Sequence, residues 1–226
     1  MPVNQQLLTQ IRAALSAFSS LNVTAANKPW DLYEAYTFAL VLQGARRLGA
    51  TIRFENILGQ PTTNIVFRTS PGTIHRPRAP RSLVLYTHAV LHFPRRQELE
   101  VHQGIYVSGR SGLPHECDVA VIDRAEGIAC RNDPAHPRCH KMVLAAECKF
   151  YSSLGIGLAR GFIGLTSDLA SEDRFFVTNT AHENLERLLT HHARGWSHNT
   201  IPAHPFEINR IRARFETALK KYLARH

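Results

Sequence analysis

Long hydrophobic runs are missing from this sequence, and so is the basic start with an apolar segment that marks a secretion signal. We therefore expect a cytoplasmic protein without a membrane span. Cysteine is scarce, with four in 226 residues, which argues against a disulfide framework and favours reduced thiols. A composition typical of disorder is also absent, because 44% of the residues are hydrophobic and 20% are charged. This length suits one folded domain.

Acidic residues are the scarcer charge, at 18 against 27 lysines and arginines, so the formal net charge is +9. Such a chain favours a polyanionic partner, because lysine and arginine gain affinity for nucleic acid by releasing condensed counterions. Membrane surfaces and acidic proteins would attract it too. The charge therefore supports a nucleic-acid partner without identifying one.

Three charged residues stand at the ends of two apolar runs that read as strands. Asp118 precedes the run Val119–Ile122 in HECDVAVID, and Glu147 and Lys149 end MVLAAECK. Because side chains alternate along a strand, Glu147 and Lys149 point to one face while Cys148 points to the other. Buried charges are costly unless they pair with each other or with a metal ion.

A divalent cation is one explanation for this trio. Two carboxylates on neighbouring strands suit magnesium, with manganese as a substitute, and substrate phosphate oxygens would complete the coordination. A lysine beside the ion can orient or activate a water, or stabilise charge on a phosphate. The alternative is structural, since Glu-x-Lys is a common tripeptide that usually lies on a solvated face.

At these residues the sequence resembles the PD-(D/E)XK nuclease superfamily, with Asp118, Glu147 and Lys149 at the signature positions and Cys117 in place of the proline. A helical pattern, Leu154–Leu169, follows directly, as the resemblance implies. The implied fold is α/β: a restriction-endonuclease-like core with a central mixed β-sheet flanked by helices. We divide one domain into residues 1–28 (N-terminal helix and linker), 29–180 (catalytic core) and 181–226 (C-terminal helices).

Two helices are predicted before the sheet. Val3–Phe18 has one apolar stripe and is expected to pack on the core or to join a dimer. A second helix begins at Pro29 and ends near Gly49. It carries Glu34, at the position where the resemblance implies an acidic residue that reaches the metal. The alternative is a half-exposed glutamate favoured by the helix dipole.

Four strand-like segments precede Asp118. Glu98 and Glu100, in the last of them, could each be an extra ligand, although acidic residues on an exposed strand face are commoner. The segments are Thr51–Leu58, Thr63–Ser70, Ser82–Phe93 and Glu98–Val107.

Basic side chains outside the trio are candidates for binding a nucleic-acid backbone. The proline-rich loop His75–Arg81 contains Arg76, Arg78 and Arg81, which could clamp phosphates or only keep the loop solvated. Arg160, in the helix after Lys149, is either a phosphate contact or a surface arginine.

The segment Arg124–Lys141 is predicted to be an irregular insert. It contains Cys130, His136, Cys139 and His140, which are chemically competent zinc ligands. Their spacing matches no common zinc finger or ribbon, so a mobile loop is favoured over a structural zinc site.

The resemblance implies a magnesium-dependent endodeoxyribonuclease in which Asp118, Glu147 and Glu34 hold the metal and Lys149 acts on the water or the phosphate. Nucleases of this build often act in bacterial antiviral defence or restriction, and a homodimer would cut two strands. A regulatory partner is expected because no sensor domain is evident. RNA remains a possible substrate. The alternatives are a catalytically silent nucleic-acid-binding or assembly module and a zinc-stabilised interaction protein.

Overall fold

The fold is taken from a computed structural model that describes residues 2–15, 19–75, 84–169 and 173–225. Its helices are α1 (Val3–Leu15), α2 (Pro29–Arg47), α3 (Arg124–Asn132), α4 (Ile156–Asp168), α5 (Glu183–His191) and α6 (Pro205–Arg225). Its strands are β1 (Ser20–Leu21), β2 (Thr51–Asn56), β3 (Asn64–Ile65), β4 (Thr87–His92), β5 (Leu99–Ser108), β6 (Pro114–Asp123), β7 (Met142–Lys149), β8 (Arg174–Thr178) and β9 (Gly195–Ser197).

A seven-stranded sheet, in the order β2-β4-β5-β6-β7-β8-β9, forms the centre of the molecule. The strands from β2 to β7 pair antiparallel, whereas β7, β8 and β9 pair parallel. The parallel pair β7 and β8 is connected through α4, as a crossover requires. The predicted α/β class with a central mixed sheet flanked by helices is therefore confirmed.

Helices cover both faces of this sheet. On one face, α2 is buried along most of its length, and α1 and α6 pack on it through Leu7, Ile11 and Phe215. On the other face, apolar residues of α3 and α4 complete two smaller clusters. The burial of α1 confirms the prediction that it packs on the core, while the predicted end at Phe18 falls outside the described residues.

The segment predicted as the strand Thr63–Ser70 is largely irregular, and this prediction was wrong. Only Asn64–Ile65 is a strand, paired with Ser20–Leu21 in a separate two-stranded sheet. The side chain of Asn22 donates a hydrogen bond to the Phe67 carbonyl and accepts one from the Phe67 N–H. An asparagine side chain thus replaces the backbone partner that a longer strand would need.

The prediction of an irregular insert after Asp123 was also wrong, because its first half is helix α3. The Asp123 carboxylate accepts the N–H of Ala125 and caps the helix, and Glu126 lies in the first turn. Both acidic groups favour a helix start. A short 3-10 helix, Cys139–Lys141, leads from there into β7.

All four cysteines are buried and free of disulfide bonds. None of the helices in the described ranges combines the length and the apolar character that a membrane span requires.

Candidate active site

Asp118 lies next to the last backbone-paired residue of β6 in the pairing of β6 with β7. The register pairs Val119 with Ala146, and one residue further Asp118 Oδ2 accepts the backbone N–H of Cys148 at 2.6 Å. The carboxylate is almost fully buried. This hydrogen bond fixes Asp118 against the strand that carries Glu147 and Lys149.

Lys149 joins the two carboxylates. Its Nζ atom lies 2.5 Å from Glu147 Oε1 and 3.7 Å from Asp118 Oδ2. Cys148 points into the core beneath α2, so the alternation predicted from the sequence is observed. The structure therefore brings together the three residues that the sequence singled out.

Glu34 reaches the same place from α2. Its Oε2 accepts a hydrogen bond of 3.4 Å from Gln103 Nε2 on β5, and Gln103 also donates to the Arg68 carbonyl. Burial and the nearby Asp118 raise the pKa of Glu34 to about 9. Among the two interpretations of Glu34, the geometry favours a residue that faces the carboxylates over one held only by the helix dipole.

Glu147 contributes to raising the pKa of two neighbouring carboxyl groups. Burial, followed by repulsion from Glu147, raises the pKa of Asp118 to about 7 despite attraction to Lys149. Burial and Glu147 also raise the pKa of Glu116, which lies two residues before Asp118 on β6. Asp118 and Glu147 thus share one amine, with Glu116 near Glu147 and Glu34 near Asp118, and the site has an excess of negative charge that a cation would relieve.

Lys149 is held in its charged form. Burial alone would lower the pKa of its amine, but Asp118 and Glu147 outweigh burial and raise the pKa above its usual value. A charged ammonium donates hydrogen bonds and cannot accept a proton. In this arrangement the amine is suited to stabilising negative charge on a phosphate.

Gln103 and Glu116 were missed in the sequence. A glutamine within the apolar strand β5 is a weak signal, because polar side chains are common on half-exposed strands. The signal for Glu116 was stronger, because Glu116 lies two residues before Asp118 and side chains two residues apart often share one face of a strand. Only the structure relates Gln103 to Glu34, which is 69 residues away along the chain.

The predicted nucleic-acid contacts remain predictions. Arg160 lies on the exposed surface of α4. Arg76, Arg78 and Arg81 lie outside the described residues.

Glu98 and Glu100, considered as extra ligands, belong to a different cluster, so that interpretation was wrong. Arg131 donates hydrogen bonds to both carboxylate oxygens of Glu100, at 2.7 and 2.6 Å. Arg53 forms an equivalent bidentate pair with Glu98. Their carboxylates are therefore occupied by guanidinium groups rather than directed at Asp118.

Within that cluster, Glu55, His88 and Glu100 form the one group of described residues with three metal-binding atoms all within 4.8 Å of each other. Arg124 donates two hydrogen bonds to Glu55, at 2.9 and 3.1 Å, so both carboxylates already have a cationic partner. Hydrogen bonds from Arg131 and His102 hold the pKa of Glu100 well below its usual range, although burial opposes this. We interpret the cluster as a buried ion-pair network that ties α3 to the sheet.

The candidate zinc ligands do not converge among the described residues. Cys130 and Cys139 are buried in an apolar cluster, His136 packs edge-on against Tyr106, and His140 is exposed.

No protein-family model matches the chain. Comparison with curated proteins gives no significant match, and comparison with solved structures gives none either. The site must therefore be interpreted from its own residues.

Proposed function

We propose that this protein is a divalent-metal-dependent nuclease that hydrolyses phosphodiester bonds, with DNA as the expected substrate. The observation that carries the proposal is that Asp118 and Glu147, on two neighbouring strands, share the amine of Lys149, with Glu34 of α2 near Asp118. An acidic cluster of this kind inside a protein with a net charge of +9 suits a polyanionic substrate held by basic groups around the site.

The donor set fits magnesium or manganese. Every candidate ligand is a carboxylate oxygen, the type that hard divalent cations prefer. Burial and then repulsion from a neighbouring carboxylate raise the pKa of Asp118 and of Glu34, and a divalent cation would favour the ionised form of both. When bound, such an ion would lower the pKa of a water and polarise the phosphate.

The residues of the chain have separate tasks in this proposal. Asp118 is fixed by the Cys148 N–H and presents its remaining lone pairs to the site. Gln103 orients the Glu34 carboxylate. Lys149, charged and held between two acids, is poised to donate hydrogen bonds to a phosphate oxygen as negative charge grows on it.

The order of elements also supports the proposal. The sequence contains, in this order, a helix with an acidic residue (α2), a strand whose apolar run begins after Asp118 (β6), a strand that ends in Glu-x-Lys (β7) and a helix (α4). Strands β2 to β5 lie between α2 and β6, and α3 lies between β6 and β7. The order α2, β6, β7 and α4 is the one that the PD-(D/E)XK resemblance implies. A role as an effector in bacterial defence or restriction, acting as a homodimer, extends the proposal by the same resemblance.

The test is an incubation of supercoiled plasmid, linear duplex, single-stranded DNA and RNA with the protein and magnesium or manganese. We expect the wild type to cleave, and Asp118→Ala and Lys149→Ala to lose at least about 100-fold in rate. The first change removes a proposed metal ligand, and the second removes the amine that would stabilise negative charge on the reacting phosphate. Arg187→Ala, at a side chain that is 75% exposed, serves as a surface control and should cleave normally. Equal nucleic-acid binding by all variants without cleavage would instead indicate the catalytically silent module.

A further inference from the structure

We propose that the substrate segment bound at this site is single-stranded, and that Trp30 and Tyr151 stack on its unpaired bases. The proposal rests on the nuclease function and defines its substrate class. Trp30 and Tyr151 are 49% and 47% exposed, and Phe206 is the one other aromatic residue with an exposed side chain in the described part of the chain. A single exposed ring is common on a protein surface, so the position of these two rings relative to the carboxylate site carries the argument.

Both rings lie on the elements that carry the carboxylate site. Trp30 lies one helical turn before Glu34 on the same face of α2, and residues at this spacing are neighbours on the helix surface. Tyr151 comes two residues after Lys149, at the exit of β7. The rings of Phe150 and Tyr33 pack edge-on with centres 5.4 Å apart, so the exit of β7 lies against the first turns of α2.

The backbone that carries Tyr151 is held firmly. Its N–H donates to Asn179 Oδ1 at 2.8 Å, and its carbonyl accepts from Asn179 Nδ2 at 3.1 Å. A fixed backbone lowers the entropy that the ring loses when a ligand stacks on it. Beside Trp30, Lys28 Nζ lies 5.3 Å from the ring centre and is exposed, so a positive charge accompanies the ring.

This combination suits unpaired bases rather than a duplex. In a duplex the base faces are covered by stacking, so protruding rings have no face to contact. In a single strand each base offers a free face, and aromatic rings beside a cationic group are the usual way to bind it. A strand whose base stacks on Tyr151 would have its backbone close to Lys149, which lies two residues earlier at the end of β7.

The experiment uses the full chain with Asp118→Asn, so that binding is measured without cleavage. An oligothymidine strand and a hairpin duplex are titrated by fluorescence anisotropy. We expect the single strand to bind more tightly, and both Trp30→Ala and Tyr151→Ala to weaken its binding by roughly fivefold or more. Trp30→Phe should retain most of the affinity, and Phe206→Ala, which removes a ring that is 74% exposed elsewhere, should change nothing.

A second readout reports stacking directly. The chain has two tryptophans, so Trp196→Phe leaves Trp30 as the sole one, and its emission should be quenched when the strand binds. Unchanged emission, unchanged affinity in Trp30→Ala and Tyr151→Ala, or tighter binding of the duplex would each overturn the proposal.

The two proposals fail separately. If the wild type with magnesium cleaves no nucleic acid while strand binding depends on Trp30, the nuclease proposal fails and the binding surface stands. If cleavage occurs but its rate on single strands is the same in Trp30→Ala, the stacking proposal fails alone.

Discussion

The acidic cluster should cost the folded protein stability that a single isosteric change recovers. Burial and Glu147 raise the pKa of Asp118 from an ordinary 3.8 to about 7, so ionising this residue is harder in the folded chain than in the unfolded one. The contribution of Asp118 to the free energy of unfolding is therefore fully present below about pH 4 and is lost as the pH rises through 7. At about 1.4 kcal/mol per pKa unit, the loss at pH 8 is roughly 4 kcal/mol.

Asp118→Asn removes the charge while its side-chain oxygen can still accept the Cys148 N–H. In the presence of a chelator we expect it to be about 2–4 kcal/mol more stable than the wild type near pH 8, and nearly equal to it near pH 4. Urea denaturation at the two pH values measures the difference. A variant less stable than the wild type near pH 8 would refute the reasoning.

Asp168 provides a control of opposite sign. Hydrogen bonds from Ser111 and His115 lower the pKa of Asp168 to about 2, so its charge stabilises the folded state above its ordinary pKa and this contribution is lost only as the pH falls through 2. Asp168→Asn should therefore lower stability near neutral pH, where Asp118→Asn raises it. The same urea series serves both variants.

Further predictions concern the buried network and two glycines, and all are measured by urea denaturation. Arg131→Met leaves the buried Glu100 without two of its hydrogen bonds and should cost about 3–5 kcal/mol. Arg187→Met, whose side chain is 75% exposed and pairs with the exposed Glu183, should change little. A loss under 1 kcal/mol for Arg131→Met would contradict the network's role. Gly104→Ala should cost about 1–3 kcal/mol because its φ is +59°, in the left-handed region. Gly164→Ala should stabilise by up to about 1 kcal/mol, because its methyl meets open space on helix α4.

The strands of the candidate site could be predicted because their chemistry is local. Asp118 opens one apolar run and Glu147 and Lys149 close another, and the two-residue period of a strand fixes which side chains share a face. That the two runs are neighbours also follows from sequence order, since sequential strands usually pair.

Helix α3 could have been predicted but was hidden by its composition. Asp123 and Glu126 have the spacing of a capping box, which marks a helix start. The cysteines, histidines and prolines that follow drew attention to metal binding and to loops instead. The capping residues Asp123 and Glu126 thus indicated a helix start, but the later cysteines and histidines are more typical of a metal-binding loop.

The ion-pair network around Glu100 could not be predicted in the same way. Arg131, His102 and Glu55 reach it from a helix and two strands, and Arg131 is 31 residues away. Strand pairing register and side-chain direction decide such contacts, and neither can be read from one stretch of sequence. The shortened strand β3 has a similar cause, since the partner of Phe67 is Asn22, 45 residues earlier.

The proposed metal site can be tested by soaking crystals of the protein in manganese and measuring anomalous scattering. We predict a manganese peak about 2.2 Å from carboxylate oxygens of Asp118 and Glu147, with the Lys149 amine moved off the position between them. A peak at Glu55, His88 and Glu100 instead, or none near Asp118 at saturating manganese, would contradict the proposed site.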